Sequence, residues 1–249
     1  MVLAPVKCPH CGTDIVKKNG TSRNGKQRFL CGNEKCRHKT FVEHYTYNAY
    51  DPHIRSRIFF SIINGSGTRA TARTLGIAKD TVTDALRSIE PLLWYVKYDY
   101  LNIRRNGDIT VEFVSVKEAE MDEMMRCVGD KSHQYWLWWA LDHTTGEPLA
   151  FHFGTREHEN LDELLALLRP FDIKIVYTDN NFAYQPRVSN GEVMTGKENT
   201  QKVERKHLSL RTWSSRLVRK GICFSQDPRM HKIVVALVIN FWFFQRIIW

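Results

Sequence analysis

The chain has 249 residues and a formal net charge of +9, from 36 Lys and Arg against 27 Asp and Glu. Its 43% hydrophobic and 25% charged residues are enough to bury a core, which excludes a disordered tail. The charge is lopsided: residues 1–110 hold 18 basic and 9 acidic side chains, whereas residues 111–249 hold 18 of each. A basic half joined to a neutral one points to a nucleic-acid-binding part and a part with other duties. Residues 1–7 do not read as a secretory signal. The most apolar stretch, 233–244, is interrupted by Asn240 and followed by Gln245 and Arg246, short of the roughly 18–20 clean apolar residues of a membrane span. It reads as a buried terminal helix in an intracellular protein.

Four of the six cysteines form two close pairs, Cys8 with Cys11 and Cys31 with Cys36. In an intracellular chain such pairs favour Zn²⁺ over disulfides. A tetrahedral ion takes two thiolates from each short loop. Between the pairs, strands are predicted at 14–18 and 27–30 around a turn at 19–25. This is a zinc ribbon with Cys8, Cys11, Cys31 and Cys36 as ligands. Its few large aliphatic residues would hardly fold without a metal. His10 and His38 rank below the cysteines as ligands, and Cys127 and Cys223 read as inert core thiols.

From residue 52 the pattern becomes helical. Ile54, Ile58, Ile62 and Ile63 recur at helical spacing, and Gly65-Ser66-Gly67 ends that element. A second helix over 68–75 stops at Gly76, and a third over 80–89 stops before Pro91. Short helix, glycine turn, short helix is the helix-turn-helix layout. Leu75, Ile77, Val82 and Leu86 form its apolar seam, and Lys79, Thr81, Thr83 and Arg87 are the candidate DNA contacts. Residues 93–110 read as a linker.

The second half reads as strands at 111–116 and around 120–123, then 135–141 and 148–153. A helix at 160–168, a strand at 173–178 and a helix at 201–220 follow. That is the ribonuclease H order, an α/β arrangement. It brings Asp122 on the first central strand, Asp179 at the end of its neighbour and Glu204 on the covering helix to one edge. Three such carboxylates suit Mg²⁺ or Mn²⁺ and a two-ion phosphoryl transfer. Glu120, Glu123 and Asp142 are competing acids. Residues 195–232 carry ten Lys or Arg against three acids. Lys202, Arg205 and Arg211 are the candidate DNA contacts there, and Glu204, His207, Leu208 and Arg211 fall near one helix face.

These stretches, in their order and spacing, resemble the transposases of the insertion sequence 1 family. The resemblance is carried by the 8–36 ribbon with Gly25-Lys-Gln-Arg-Phe-Leu-Cys31, by Arg69-Ala-Thr-Ala-Arg-Thr-Leu-Gly76 and by Glu120-Met-Asp-Glu123. Further on it is carried by Val128-Gly-Asp-Lys131, Tyr177-Thr-Asp179 and Val203-Glu-Arg-Lys-His-Leu-Ser-Leu-Arg211. It implies a zinc finger and helix-turn-helix that recognise terminal inverted repeats, and a ribonuclease-H-like domain whose Asp-Asp-Glu triad falls on Asp122, Asp179 and Glu204. The expected organisation is a zinc ribbon (1–47), an all-α helix-turn-helix domain (48–92), a linker (93–110) and an α/β catalytic domain (111–249). The expected activity is Mg²⁺- or Mn²⁺-dependent cleavage and strand transfer on double-stranded DNA, both element ends and target. Asp122 would be shared by two ions. A homodimer or larger assembly in a prokaryotic, nucleoid-associated cytoplasmic setting is expected, with no membrane partner. The alternatives are a DNA-binding repressor with an inactive second half and a structure-specific nuclease of the same fold.

Overall fold

The computed structural model describes residues 5–45, 47–100, 105–106, 108–109, 116–179, 192–218 and 225–249. The expected strand at 111–116, apart from Val116, the thiol of Cys223 and the end of the helix expected to run to 220 lie outside them. At the N-terminus β1 (Val16–Thr21), β2 (Gln27–Cys31) and β3 (Thr40–Val42) form an antiparallel meander. The first two strands were expected. The third has one buried side chain, Phe41, too little alternation to be read from sequence. Among the described residues, Cys8, Phe29, Cys31, Cys36 and Phe41 form the buried interior of this unit.

Three helices follow, α1 (Ile54–Ile63), α2 (Thr68–Leu75) and α3 (Lys79–Ile89). Gly76 ends α2 with φ +62, and its neighbour Ile77 N–H donates to the Ala72 carbonyl at 3.0 Å. This left-handed stop satisfies a carbonyl that the helix end would leave open. Asn48 Nδ2 donates to the Leu75 carbonyl at 2.9 Å. Ile58, Ile62, Ile77, Val82 and Leu86 are buried in one cluster, as the seam predicts, and Leu75 is half-buried against it.

The ribbon of β4 (Arg105–Asn106) and β5 (Asp108–Ile109) precedes the main sheet, which contains β6 (Glu118–Cys127), β7 (Gln134–Asp142), β8 (Pro148–Gly154), β9 (Ile175–Thr178) and β10 (Glu192–Thr195). Its order is β10-β9-β6-β7-β8. β6, β7 and β8 pair antiparallel, whereas β9 lies parallel to both β6 and β10. Helix α4 (His158–Leu168) supplies the crossover that parallel pairing requires. Its Leu161, Leu164 and Leu168 cover Ala119, Met121, Trp138 and Ala140. Helices α5 (Gln201–Trp213) and α6 (Pro228–Trp242) cover the other face, over Trp139, Leu141, Phe151 and Phe153.

Helix α6 is buried at every position from Ile233 to Asn240, the mark of a helix enclosed on all sides. It packs against the sheet and also against α1 and α3, so both parts share one core. Among the described residues, no helix is long and apolar enough to cross a membrane. Two boundaries differ from expectation. Residues 93–98, read as the start of a linker, run along β8: Lys97 N–H donates to the Leu149 carbonyl at 2.8 Å and Phe151 N–H to the Tyr95 carbonyl at 2.9 Å. The polar tips of Trp94 and Tyr95 disguised rings that pack on the core. Helix α5 ends at Trp213 rather than near 220, because Ser214 is extended (φ −124, ψ 104) and Ser215 Oγ donates to the Gly65 carbonyl at 2.8 Å.

His231 on α6 is nearly fully buried, its Nδ1 2.9 Å from Ser225 Oγ. Burial, and then the charges of Arg216 and Arg126, hold its pKa down at about 4 from 6.5. The unfolded chain therefore takes up a proton near pH 6.5 that the folded chain refuses until about pH 4. This one group lowers stability by about 3 kcal/mol as pH falls through that window. Urea titrations of the wild type and His231→Asn at pH 7 and pH 4.5 should show a smaller acid loss in the variant; equal losses would contradict this assignment.

Candidate active site and metal centre

The parallel register pairs Glu118 with Ile175, Ala119 with Val176 and Glu120 with Tyr177. Carried on by two residues, the same offset brings Asp179, just past the end of β9, level with Asp122. Alternation along a strand places Glu120, Asp122 and Met124 on the face covered by α5. Glu204 sits in the first turn of α5 and is exposed. Burial, and then the negative charges of Glu123, Asp179 and Glu204, push the Asp122 carboxyl up to about 7. A hydrogen bond from the Glu123 N–H to Asp122 Oδ1, 2.8 Å, works in the opposite direction.

The competing acids have other partners. Glu120 is 1% exposed. Its Oε2 accepts from the Lys202 and Val203 N–H groups of α5, each at 3.0 Å, and its Oε1 lies 2.9 Å from His143 Nδ1. It thus caps, from another element, amides that the start of a helix leaves free, and a negative charge there favours the helix dipole. Glu123 faces the opposite side, 3.8 Å from Arg156, whose guanidinium stacks over Trp136. Asp142 closes the β7–β8 turn by accepting from Thr144 N–H and Thr145 Oγ1, both at 2.8 Å.

Sequence reasoning placed His207 on the face of Glu204 without giving it a role. It is buried, its Nδ1 lies 3.3 Å from Asp122 Oδ2, and its Nε2 accepts from Trp139 Nε1 at 2.8 Å. Trp139 is the cross-strand partner of Asp122. Lys202, expected to meet DNA, is engaged inward: its Nζ bonds the His143 carbonyl and lies 3.6 Å from Glu120. Arg205 is exposed and Arg211 half-buried.

The four paired cysteines converge. Cys8 and Cys36 sulfurs are 4.0 Å apart, Cys11 and Cys31 3.6 Å, and all four lie within 4.8 Å of one another. Tetrahedral zinc with thiolate bonds of about 2.3 Å spaces its sulfurs by about 3.8 Å. Among the described residues this is the one group of three or more metal-binding side chains gathered so tightly; the carboxylates are more open. Gly12, at φ +74, lets its N–H turn back to the Cys8 carbonyl at 2.8 Å. The hydrogen bond to the Thr13 backbone draws the Cys11 thiol down to about 7, while burial pushes Cys31 up to about 12. His10 and His38 stack on each other beside the sulfurs, their centroids 4.0 Å apart.

On α3, Lys79, Thr83 and Arg87 are four residues apart and share a face. Lys79 and Arg87 are exposed, whereas Thr81 and Thr83 are half-buried. Arg87 lies 3.4 Å from Asp84. The Tyr47 hydroxyl, which sequence reasoning missed, accepts from the Ala78 N–H at 3.0 Å at the start of this helix.

Comparison with known proteins bears on this arrangement. A family model described as IS1 transposase matches residues 115–245, and one described as InsA C-terminal domain matches residues 45–89, which contain α1–α3. The chain is 43% identical over 122 residues to the insertion element iso-IS1n protein InsB of Shigella dysenteriae, covering 49% of this chain and 93% of that protein. Against the insertion element IS1 9 protein InsB of Escherichia coli (strain K12) the values are 38%, 49% and 73%. Among solved structures, the catalytic core domain of BIV integrase superposes with a TM-score of 0.35 at 14% identity, over 50% of this chain and 82% of that one. With one family model spanning more than half of its length and an InsB relative matched almost throughout, the chain belongs to the IS1 transposase family.

Proposed function

We propose that this DNA transposase holds its catalytic cations on Asp122, Asp179 and Glu204 and cuts and joins the ends of its own element. The observation that carries the reading is the shared edge of β6, β9 and α5, where half-buried Asp122 lies within the electrostatic reach of Asp179 and Glu204. The donor set fits: carboxylate oxygens are the ligands of Mg²⁺ and Mn²⁺. A desolvated acid among like charges stays ionised at neutral pH only when cations offset them. When bound, the cations supply charge that activates an oxygen nucleophile and stabilises the leaving oxygen in an in-line displacement.

Around that chemistry the chain binds and orients DNA. Water attacks the phosphodiester at the element end and frees a 3′-hydroxyl, which then attacks a target phosphodiester. Each bond formed replaces one broken, and no enzyme–DNA bond is needed. Lys79, Thr81, Thr83 and Arg87 on α3 face the terminal inverted repeat, and Arg205 and Arg211 on α5 hold the phosphate backbone near the acids. Residues 1–47 act as a zinc ribbon, 48–92 as the helix-turn-helix unit and 111–249 as the catalytic unit. Joining two ends in one reaction calls for at least two copies of the chain.

Asp179→Asn should lower Mg²⁺-dependent cleavage and strand transfer on DNA carrying the element ends by about a thousandfold, roughly 4 kcal/mol of barrier. Undiminished strand transfer would refute the site, whereas wild-type cleavage that never proceeds to strand transfer would favour a nuclease. Metal analysis should return one zinc per chain, lost in Cys31→Ser along with hydrogen-exchange protection of β1–β3; protection retained without metal would argue against the ribbon being held by zinc.

A further inference from the structure

Of the three buried residues of α5, Val203, His207 and Leu210, only His207 is polar. Both of its ring nitrogens have a defined neighbour. Trp139 Nε1 can only donate, so the 2.8 Å contact makes His207 Nε2 an acceptor. The ring proton of the neutral imidazole must then sit on Nδ1, the nitrogen 3.3 Å from Asp122 Oδ2. The two rings meet edge to edge with their planes 6° from parallel and centroids 5.6 Å apart, so the imidazole cannot turn without losing both contacts. On the other side of the carboxylate, Oδ1 is held by the Glu123 N–H at 2.8 Å.

We propose that His207 is a positioning residue for Asp122, with its tautomer set by Trp139, and this rests on the reading of Asp122 as a cation ligand. The Nδ1 contact and the Glu123 N–H bond engage different oxygens of the carboxylate and leave the remaining lone pairs of both for cations. The chain Trp139, His207, Asp122 runs from the cross-strand neighbour of Asp122 through the covering helix and back to the carboxylate. It ties the orientation of the acid to the seating of α5, which also carries Glu204. Outer partners of this kind change metal affinity by about 10- to 100-fold when removed.

The test uses the full chain and Mn²⁺ alone, with affinity read by calorimetry and folding by the melting temperature of each variant without added Mn²⁺. His207→Gln reaches the position of Nε2 and keeps an acceptor for Trp139, but has no donor at the position of Nδ1. His207→Asn restores a donor there and gives up the acceptor. The expected result is a loss of at least about tenfold in Mn²⁺ affinity for His207→Gln, most of it recovered in His207→Asn. Equal affinities in the two variants, or a lower one in His207→Asn, would overturn the proposal, because a purely structural histidine would not sort them by donor position. If His207→Gln does not fold, Trp139→Phe decides: it removes the group that sets the tautomer, and unchanged Mn²⁺ affinity in it overturns the proposal. Asp122→Asn separates the two levels. Wild-type Mn²⁺ affinity in Asp122→Asn removes the underlying reading, whereas lost affinity there with wild-type affinity in His207→Gln removes only the role of His207.

Discussion

The carboxylate of Glu120 accepts the second and third amides of α5 and, at its other oxygen, contacts His143 from the β7–β8 turn. Burying an ionised carboxylate is costly unless its lone pairs are met, and here two backbone donors and a ring nitrogen meet them. The contact fixes the first turn of α5 against β6, two residues along the strand from Asp122 and one residue along the helix from Glu204. The proposed site therefore inherits its spacing from a group that takes no part in it. Lys202 strengthens the joint by reaching the His143 carbonyl.

A second constraint is the enclosure of α6. A helix buried along eight consecutive positions cannot choose between neighbours, so the sheet and the helix-turn-helix must close on it together. Trp242 Nε1 donates to the Ile63 carbonyl at 3.3 Å, Arg229 meets Glu90 at 2.7 Å, and the Trp249 ring lies 5.1 Å from that of Phe59. Helix α3, the last of the helix-turn-helix, is thereby docked on the same body as the acids instead of hanging from a free tether. If DNA binds at α3 as proposed, a shared core turns that binding into a defined position at α5.

Much of this was legible in the sequence, for physical reasons that differ by element. The seam of the three helices and the stop at Gly76 obey local rules of period and backbone sterics. The paired cysteines advertise themselves by spacing. The two aspartates could be set on neighbouring strands because the ribonuclease H order decides which strands lie side by side; the 57-position register that pairs β6 with β9 is visible only in the fold. What could not be read depends on contacts across long separations. Glu120 meets amides 82 and 83 positions away, so its role as a cap instead of a fourth metal acid has no local signature. Residues 93–98 look polar because aromatic rings with polar tips are ambiguous until their neighbours are known. The third strand of the N-terminal meander is too short to show a period.

Asp122, Asp179 and Glu204 are proposed above all to hold divalent cations. Diffraction from crystals of the full chain soaked in Mn²⁺, recorded at the manganese absorption edge, is the most direct measurement. Anomalous density is expected among the oxygens of these three residues, separate from any zinc signal at the four cysteines. Density absent there at saturating Mn²⁺, or centred instead on Glu120 or Asp142, would contradict it.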